Sequence, residues 1–192
     1  MTSSRGLGDV YKRQVPNMSK ILFLYSSTDG HTIKISKLMM QQFSLSNHKV
    51  DLIDCNQMPI INFSDYDKFL LGASIRYGNY NKNILKFINH NLAEIQKLKN
   101  GFFTVNAVAR KPEKQTPDTN PYVSKFLRLS SWQPNKIGVF AGRIDYPQYR
   151  FFDKHIIRFI MFITGGPTDT SKSYEFTDWN AVKKFTEDFD LL

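Results

Sequence analysis

A hydroxyl-rich stretch near the start of the chain reads Tyr-Ser-Ser-Thr-Asp-Gly-His-Thr over residues 25–32. It follows the apolar run 21–24 and precedes a helical pattern, so it forms a turn that opens a helix. Backbone N–H groups at a helix start are unpaired and partly positive, and hydroxyls add neutral donors. The pattern predicts a phosphate site made of Ser26, Ser27, Thr28, Asp29, Gly30, His31 and Thr32. The alternative is an ordinary turn in which Asp29 or Thr32 caps the helix.

A phosphate monoester held by neutral donors is compatible with flavin mononucleotide (FMN). Asp29 is an unfavourable neighbour for a dianion, so it must point away or bond to nearby N–H groups. His31 is expected to make a backbone or phosphate contact and is not assigned as an acid or base.

A second group of residues with suitable chemistry follows the apolar run 68–74. Arginine and tyrosine side chains can flank a flavin ring, and nearby backbone N–H groups can tune its redox properties. Tyr80 is a further aromatic residue of this loop, and the alternative is a tyrosine-rich surface turn. The predicted cofactor residues of this group are Ser74, Ile75, Arg76, Tyr77, Gly78 and, in the next predicted strand, Asn106.

Several basic residues lie on segments expected near the same strand ends. They can hold carboxylates of a substrate by charge-assisted hydrogen bonds, although each alone can equally be a solvated charge. The candidate substrate residues are Arg110, Lys111, Arg143 and Arg150. Neither a Ser-His-Asp arrangement, a metal-ligand cluster nor a G-x-G-x-x-G motif is present, so no catalytic residue and no metal site is predicted. The single cysteine, Cys55, excludes an internal disulfide and fits a reducing compartment.

Apolar runs that alternate with helical patterns must position these loops. Strands are predicted over 21–25, 50–53, 68–74, 102–108 and 137–142, with helices from 32, from 83, over 122–129 and over 178–192. This alternation predicts an α/β three-layer sandwich with a five-stranded parallel sheet in the flavodoxin-like order 2-1-3-4-5. Ligands of such sheets bind where the order reverses, between the ends of strands one and three. The two suspected loops lie at those two ends.

A long segment, about 143–178, separates the fifth strand from the last helix. Within it, Phe152, Ile156, Phe159, Ile160 and Ile163 share one helical face, and Arg150, Lys154 and Arg158 form a basic stripe on another. A basic amphipathic helix can lie in an anionic membrane interface. The alternatives are a core-packing helix and half of a dimer interface. The predicted membrane residues are Arg150, Phe152, Lys154, Arg158, Phe159 and Phe162.

Size and charge limit the function classes. A chain of 192 residues predicts one domain, and a net charge of +9 favours anionic partners such as nucleic acid, lipid headgroups or a carboxylated or phosphorylated ligand. No apolar run approaches the ~20 residues of a membrane-spanning helix. Residues 1–17 are polar, lack the apolar segment of a secretory signal, and are interpreted as a non-native or disordered leader. The domain is then 18–192, with a net charge of +7.

Taken together, the sequence resembles the flavodoxin-like, menaquinone-dependent protoporphyrinogen dehydrogenases of bacteria, from about Lys20 to the last helix. The first of the motifs that carry the resemblance is shared loosely by many flavodoxins, and the others are particular to this family. The motifs are Ser-Thr-Asp-Gly-His-Thr (27–32), Gly-Ala-Ser-Ile-Arg-Tyr-Gly (72–78), Val-Ala-Arg-Lys-Pro-Glu-Lys (108–114), Tyr-Pro-Gln-Tyr-Arg (146–150), Thr-Gly-Gly-Pro-Thr-Asp-Thr (164–170) and Phe-Thr-Asp-Trp (176–179).

The resemblance implies FMN as cofactor and oxidation of protoporphyrinogen IX to protoporphyrin IX in haem synthesis. The oxidation would take three two-electron steps, each sending a hydride to the flavin and then electrons to menaquinone or a related quinone. It also implies peripheral attachment to the cytoplasmic side of the inner membrane. Residues 27–32 would hold the phosphate and 74–78 would border the ring. His31 departs from related loops, which leaves histidine-specific chemistry in doubt.

Three alternatives remain at this point. A non-catalytic electron-transfer flavodoxin needs FMN but no substrate pocket, and it leaves the aromatic and basic insertion unexplained. An NAD(P)H-quinone reductase can share the fold without a nicotinamide motif. A membrane or nucleic-acid binding module with a degenerate flavin site is disfavoured by the intact loops, and no nucleic-acid partner is predicted. The sequence leaves the oligomeric state, the flavin potential and the preferred quinone open.

Overall fold

The computed structural model describes residues 18–192, and the predicted leader 1–17 lies outside them. Its centre is a five-stranded sheet in the order β2-β1-β3-β4-β5, and every neighbouring pair is parallel. This confirms the predicted strand order. The strands are β1 (Lys20–Ser26), β2 (Lys49–Asp54), β3 (Lys68–Ser74), β4 (Lys99–Asn106) and β5 (Lys136–Ala141).

Helices cover both faces of the sheet and complete a three-layer sandwich. The helices of the sandwich are α1 (His31–Leu45), α2 (Lys82–His90), α3 (Leu92–Lys97), α4 (Pro121–Ser130) and α6 (Trp179–Asp190). One apolar cluster joins the sheet to α2, α3 and α4, and the other joins it to α1 and α6. Two further strands and a helix, numbered between β5 and α6, belong to the insertion described below.

The two clusters lie on opposite faces of the sheet because side chains alternate along each strand. In β1, Leu22 and Leu24 belong to the first cluster, whereas Ile21 and Phe23 belong to the second. All four side chains are at most 1% exposed. Successive side chains of a strand point to opposite faces, so a strand covered on both faces must be apolar throughout. This is why the continuous apolar run predicted β1 correctly.

The fourth strand was predicted over 102–108, and this range is wrong at both ends. β4 starts at Lys99 and ends at Asn106. The Asn106 side chain accepts a hydrogen bond from the N–H of Ala109 at 3.0 Å and so caps a 3₁₀ turn over Ala107–Arg110. Because the turn takes the backbone out of the sheet, Val108 is not part of the strand. Residues 107–110 thereby project beyond the strand end.

The insertion after β5 contains more structure than the predicted helix. It consists of β6 (Arg143–Asp145), α5 (Phe151–Ile163) and β7 (Ser173–Glu175). β6 and β7 pair antiparallel in a separate two-stranded sheet, which the sequence pattern did not indicate. A third, small apolar cluster of Ile144, Tyr146 and Met161 holds α5 to β6.

Candidate functional site

A cavity of about 180 Å³ lies at the carboxyl ends of β1, β3 and β4. Loops after these strands form one side of it, and α5 of the insertion forms the other. This is the position that the strand order predicts for a ligand. The lining residues are Ser27, Thr28, Asp29, His31, Thr32, Ser74, Ile75, Arg76, Tyr77, Gly78, Val105, Asn106, Ala107, Val108, Arg110, Tyr122, Gly142, Arg143, Ile144, Tyr149, Ile157, Ile160, Met161 and Thr164.

The structure therefore brings together most of the predicted cofactor residues. Ser26 and Gly30 do not line the cavity themselves. Ser26 is buried at the end of β1, where its carbonyl oxygen accepts a hydrogen bond from the Ser74 hydroxyl at 3.2 Å. This bond joins the two strand ends that carry the two predicted loops.

The start of α1 has the properties of an anion site. Its N-cap residue is Gly30, at φ 76°, and no side chain caps the helix. The proposed alternative, in which Asp29 or Thr32 caps the helix, is therefore wrong. The hydroxyls of Ser27 and Thr32 are buried and have no hydrogen-bond partner among the described residues. Buried polar groups without a partner cost free energy, so these two hydroxyls and the free N–H groups fit a phosphate.

Of the two arrangements expected for Asp29, bonding to nearby N–H groups is not found, and the carboxylate turns to Arg76 instead. Both of its carboxylate oxygens accept from one terminal nitrogen of Arg76, at 2.9 and 3.0 Å. The other terminal nitrogen of Arg76 donates to Asp153 of α5 at 2.8 Å. Burial would lower the pKa of Arg76, but Asp29, Tyr77 and Asp153 outweigh it and raise the pKa. The negative charge of Asp29 beside the start of α1 is thus compensated by Arg76 from the loop after β3.

Of the two tyrosines considered for the second loop, Tyr77 lines the cavity and Tyr80 does not. Tyr77, at φ 47°, is half-exposed, and its hydroxyl donates to Asp153. Tyr80 is buried in the sandwich, where its hydroxyl donates to the carbonyl oxygen of Tyr122 at 2.9 Å, so it cannot flank a ring in the cavity. Tyr149 also lines the cavity, with the guanidinium of Arg76 5.8 Å from its ring centre. Burial raises the pKa of Tyr149 to about 12, which keeps the hydroxyl neutral.

His31 is bonded within the protein. The hydroxyl of Thr177 donates to the carbonyl oxygen of Ala141 at 2.8 Å, so it accepts from the Nε2–H of His31 at 2.6 Å. The imidazole also packs against Trp179, with ring centres 5.9 Å apart. Burial lowers the pKa of His31, so the neutral ring is favoured. His31 therefore joins the start of α1 to the segment after β7.

Asn106 has its side-chain amide engaged inside the fold. In addition to capping the 3₁₀ turn, it faces Asn120, whose amide donates to the carbonyl oxygen of Lys114 at 2.8 Å. The pair holds the loop between β4 and α4 in place. Asn106 therefore forms part of the cavity wall, but its amide is not free to bind a ligand.

Of the four predicted substrate residues, Arg110 and Arg143 line the cavity, whereas Lys111 and Arg150 do not. Arg143 pairs with Asp145. Arg110 donates to the carbonyl oxygen and the hydroxyl of Thr164, both at 2.8 Å, and to the carbonyl oxygen of Ala107 at 2.9 Å. Within residues 18–192, Arg110 has no acidic partner. It is the cation of the cavity whose charge remains uncompensated.

Sequence reasoning did not assign α5 to the cavity wall. Ile157, Ile160, Met161 and the following Thr164 all face the cavity. The opposite side, here called the outer face of α5, carries six large side chains that are between 46% and 78% exposed. They are Phe151, Phe152, Ile156, Phe159, Phe162 and Ile163. The helical period of the sequence predicts an apolar stripe on α5. Which part of the helix surface covers the cavity is decided only by packing in the folded protein.

Across the described part of the chain, no group of three or more His, Cys, Asp or Glu residues could hold a metal ion. In the same residues, no helix has the length and apolar content needed to cross a bilayer.

The strand order, the hydroxyl-lined loop and the uncapped α1 define a flavodoxin-type protein. Residues 22–171 match the family model described as the Flavodoxin domain. Among solved structures, oxidised Flavodoxin 1 from Bacillus cereus is 14% identical with a TM-score of 0.49, covering 89% of this chain and 95% of that one.

Relatives with higher sequence identity to this chain share the name protoporphyrinogen IX dehydrogenase [quinone]. The protein from Leishmania major is 44% identical over 174 residues, which cover 90% of this chain and 75% of that protein. The protein from Escherichia coli (strain K12) is 37% identical over 173 residues, which cover 90% of this chain and 96% of that protein. The chain belongs to the flavodoxin-domain family and, within it, to the family of these quinone-linked protoporphyrinogen IX dehydrogenases.

Proposed function

We propose that this chain uses FMN to oxidise protoporphyrinogen IX to protoporphyrin IX in haem biosynthesis, with a quinone as electron acceptor. The observation that carries the proposal is the position of α5. Its residues Ile157, Ile160 and Met161 form an apolar wall opposite the hydroxyl-lined loop, so a phosphate and an apolar ring can be held in one cavity. The relatives at 44% and 37% identity support this choice of substrate and acceptor.

The phosphate of FMN is held by residues 27–32, through the first N–H groups of α1 and the hydroxyls of Ser27 and Thr32. Residues 74–78 and Tyr149 border the ring. The chemistry that bound FMN supplies is two-electron transfer between the porphyrinogen and the quinone. Arg76 neutralises Asp29 and so lets the loop accept a dianion.

A matched pair of variants of α1 tests the phosphate site. Thr32→Val keeps the side-chain volume but removes a donor, and a hydrogen bond to a charged group is worth about 1.5–3 kcal/mol. The dissociation constant of FMN is therefore expected to rise about tenfold or more. Ser36→Ala is the control, because the Ser36 hydroxyl is buried and unpartnered like that of Thr32 but does not line the cavity. Equal affinities for FMN in the two variants would contradict the site.

The porphyrinogen carries propionates, and Arg110 is their first partner because its charge is not compensated by an acid. Arg143, which shares its charge with Asp145, is the second. Lys111 and Arg150 act from outside the cavity lining. No residue is assigned as a general base: Asp29 and Asp153 are both bonded to Arg76. The protons released from the porphyrinogen pass to solvent.

A carrier flavodoxin is the competing function, and it needs no cavity between a helix and the flavin loops. An NAD(P)H-quinone reductase is the second competing function, and it differs because its electrons come from NAD(P)H and not from the porphyrinogen. Purified holoprotein is mixed anaerobically with protoporphyrinogen IX and a menaquinone analogue, and porphyrin fluorescence is followed. Fluorescence is expected to rise only when both FMN and quinone are present. A flavin that is reduced by NAD(P)H but not by the porphyrinogen would instead support the reductase.

We also propose that the protein binds peripherally to the cytoplasmic side of the inner membrane and takes menaquinone from it. The outer face of α5 supports this, because six exposed large apolar side chains on one helix are typical of an interfacial helix. Beside this face lie Arg150, Lys154 and Arg158, which have no ion-pair partner among residues 18–192. A second copy of the chain is a poorer partner, since a symmetric contact would bring these cations close to one another.

Vesicles that contain anionic lipid test this attachment. Replacing Arg150, Lys154 and Arg158 with glutamine should weaken binding about a hundredfold, since each cation near such a surface contributes about 1 kcal/mol. A control variant with Lys82, Lys86 and Lys99 replaced by glutamine loses the same charge elsewhere and should bind nearly as well as the wild type. Binding that is equal in both variants and insensitive to salt would contradict the electrostatic contribution.

A further inference from the structure

Both ends of α5 are tied to the loops of the cavity. At its N-terminal end, Asp153 accepts from Arg76 at 2.8 Å and from the Tyr77 hydroxyl. Just after its C-terminal end, Thr164 accepts two bonds from Arg110 at 2.8 Å. A ligand that reaches the cavity from the outer face of α5 must therefore pass along one of the long edges of the helix between these ties.

The two long edges differ in chemistry. One edge carries the charged residues Lys154, which is half-buried, and Arg158, which is exposed. The other, here called the isoleucine edge, carries Ile156 and Ile160, one turn apart. Ile156 is 46% exposed and belongs to the outer face, whereas Ile160 is 36% exposed and also lines the cavity. At Ile160 the exposed apolar surface is thus continuous with the wall of the cavity.

We propose that a lipid-dissolved quinone reaches the cavity over the isoleucine edge of α5, so that Ile160 determines which acceptors the protein can use. An isoprenoid quinone has an apolar tail and a flat ring. The tail stays in the bilayer against the outer face, and the ring passes Ile160 without leaving apolar surroundings. The charged edge with Lys154 and Arg158 offers no such path, because the ring would have to displace hydrated cations.

The electron balance follows from the proposed function, on which this inference rests. Each quinone takes up two electrons and two protons and leaves as quinol over the same edge. The electrons come from the porphyrinogen through the flavin, and the two protons that each quinol gains come from solvent, which receives two from the porphyrinogen in the same step. No further reductant is required.

Two isoleucine-to-glutamine variants test the route. Ile160→Gln places an amide in the path, and Ile163→Gln places the same amide on the outer face, 62% exposed and outside the cavity lining. Each protein is assayed with FMN bound and with enough vesicles to bind all of it, while the mole fraction of menaquinone in the vesicles is varied. Apparent KM values for menaquinone and for protoporphyrinogen IX are measured separately.

Ile160→Gln is expected to raise the apparent KM for menaquinone about tenfold, because an amide without a hydrogen-bond partner makes the apolar path less favourable. Ile156→Gln, on the same edge but outside the cavity lining, should also raise this KM and should leave the KM for the porphyrinogen within twofold. Ile163→Gln should change vesicle affinity but not the KM for menaquinone. Equal menaquinone KM values for Ile160→Gln and Ile163→Gln would overturn the route. Failure of the wild type to form porphyrin with any quinone would overturn the proposed function itself.

Discussion

Arg76 bonds to two carboxylates that belong to distant parts of the chain. Asp29 comes from the loop after β1, and Asp153 comes from the insertion. One guanidinium therefore joins the loop after β1 to α5, and its position depends on both partners. Because Asp29 lies beside the proposed phosphate site, the bond should also determine how much negative charge a bound dianion would meet there.

A double-mutant cycle measures this compensation. Arg76→Gln leaves Asp29 unpaired and should weaken FMN binding about tenfold, which corresponds to about 1.4 kcal/mol. Asp29→Asn combined with Arg76→Gln removes both charges and should recover most of the affinity. FMN affinities of the wild type, both single variants and the double variant are measured by fluorescence quenching. Additive losses in the double variant would show that the two charges act independently.

The buried ring of His31 predicts a pH dependence of stability. Burial lowers the pKa of His31 in the folded chain below its ordinary value of 6.5, so the unfolded chain binds a proton first as the pH falls. Stability is complete above about pH 6.5 and is lost progressively below it. From about pH 7 to about pH 5, the free energy of unfolding should fall more steeply in the wild type than in His31→Gln.

Denaturant unfolding at a series of pH values measures that slope. His90→Gln replaces an exposed histidine on α2 and should follow the wild-type curve. If His31→Gln and the wild type lost stability in parallel, the buried imidazole would not be the group responsible.

At the scale of elements, β3 depends on a glycine that faces an aromatic ring. Gly72 pairs with Phe103 in the register between β3 and β4. A methyl group added at Gly72 would come within 2.8 Å of two carbons of the Phe103 ring and closer still to a third. Phe103 is fully buried among Phe23, Phe140 and Phe185, so the ring has little room to move.

Gly72→Ala should therefore lower the free energy of unfolding by about 1–3 kcal/mol, the usual cost of overpacking a core. Gly142→Ala is the matched control, because its added methyl group would lie 3.4 Å from Val105, an ordinary contact. The control should stay within about 0.5 kcal/mol of the wild type. A Gly72→Ala variant as stable as the control would mean that β3 and β4 can separate slightly at this position.

For the whole molecule, the proposed phosphate site links cofactor binding to stability. A ligand at a hundred times its dissociation constant adds about 2.7 kcal/mol to the free energy of unfolding. In a domain of this size that raises Tm by roughly 5–10 °C. Thermal unfolding is measured with FMN and, as a control, with riboflavin, which has the same ring but no phosphate. Riboflavin should stabilise the protein much less at the same concentration, and equal stabilisation would contradict a phosphate-based site.

The sequence by itself determined the sandwich and the sheet edge at which the candidate site lies. Buried parallel strands have to be apolar on both faces, so β1 and β3 are visible as continuous runs, and the helices follow from their period. The strand order then places the loops after β1 and β3 together, because parallel strands have all their carboxyl ends at one edge. The hydroxyl-rich turn depends only on local residue types, so those residue types alone are enough to predict it.

Only the tertiary structure decided how the insertion completes the cavity. β6 and β7 have three residues each and lie about thirty residues apart, so no local pattern predicts that they pair. The helix period of α5 left open which arc faces inward, because most of its circumference is apolar. Packing selects Ile157 and Met161 for the cavity and leaves the phenylalanines outside. Likewise, the partners of Arg76 and the place of Tyr149 depend on contacts between distant segments, which residue types and spacing do not encode.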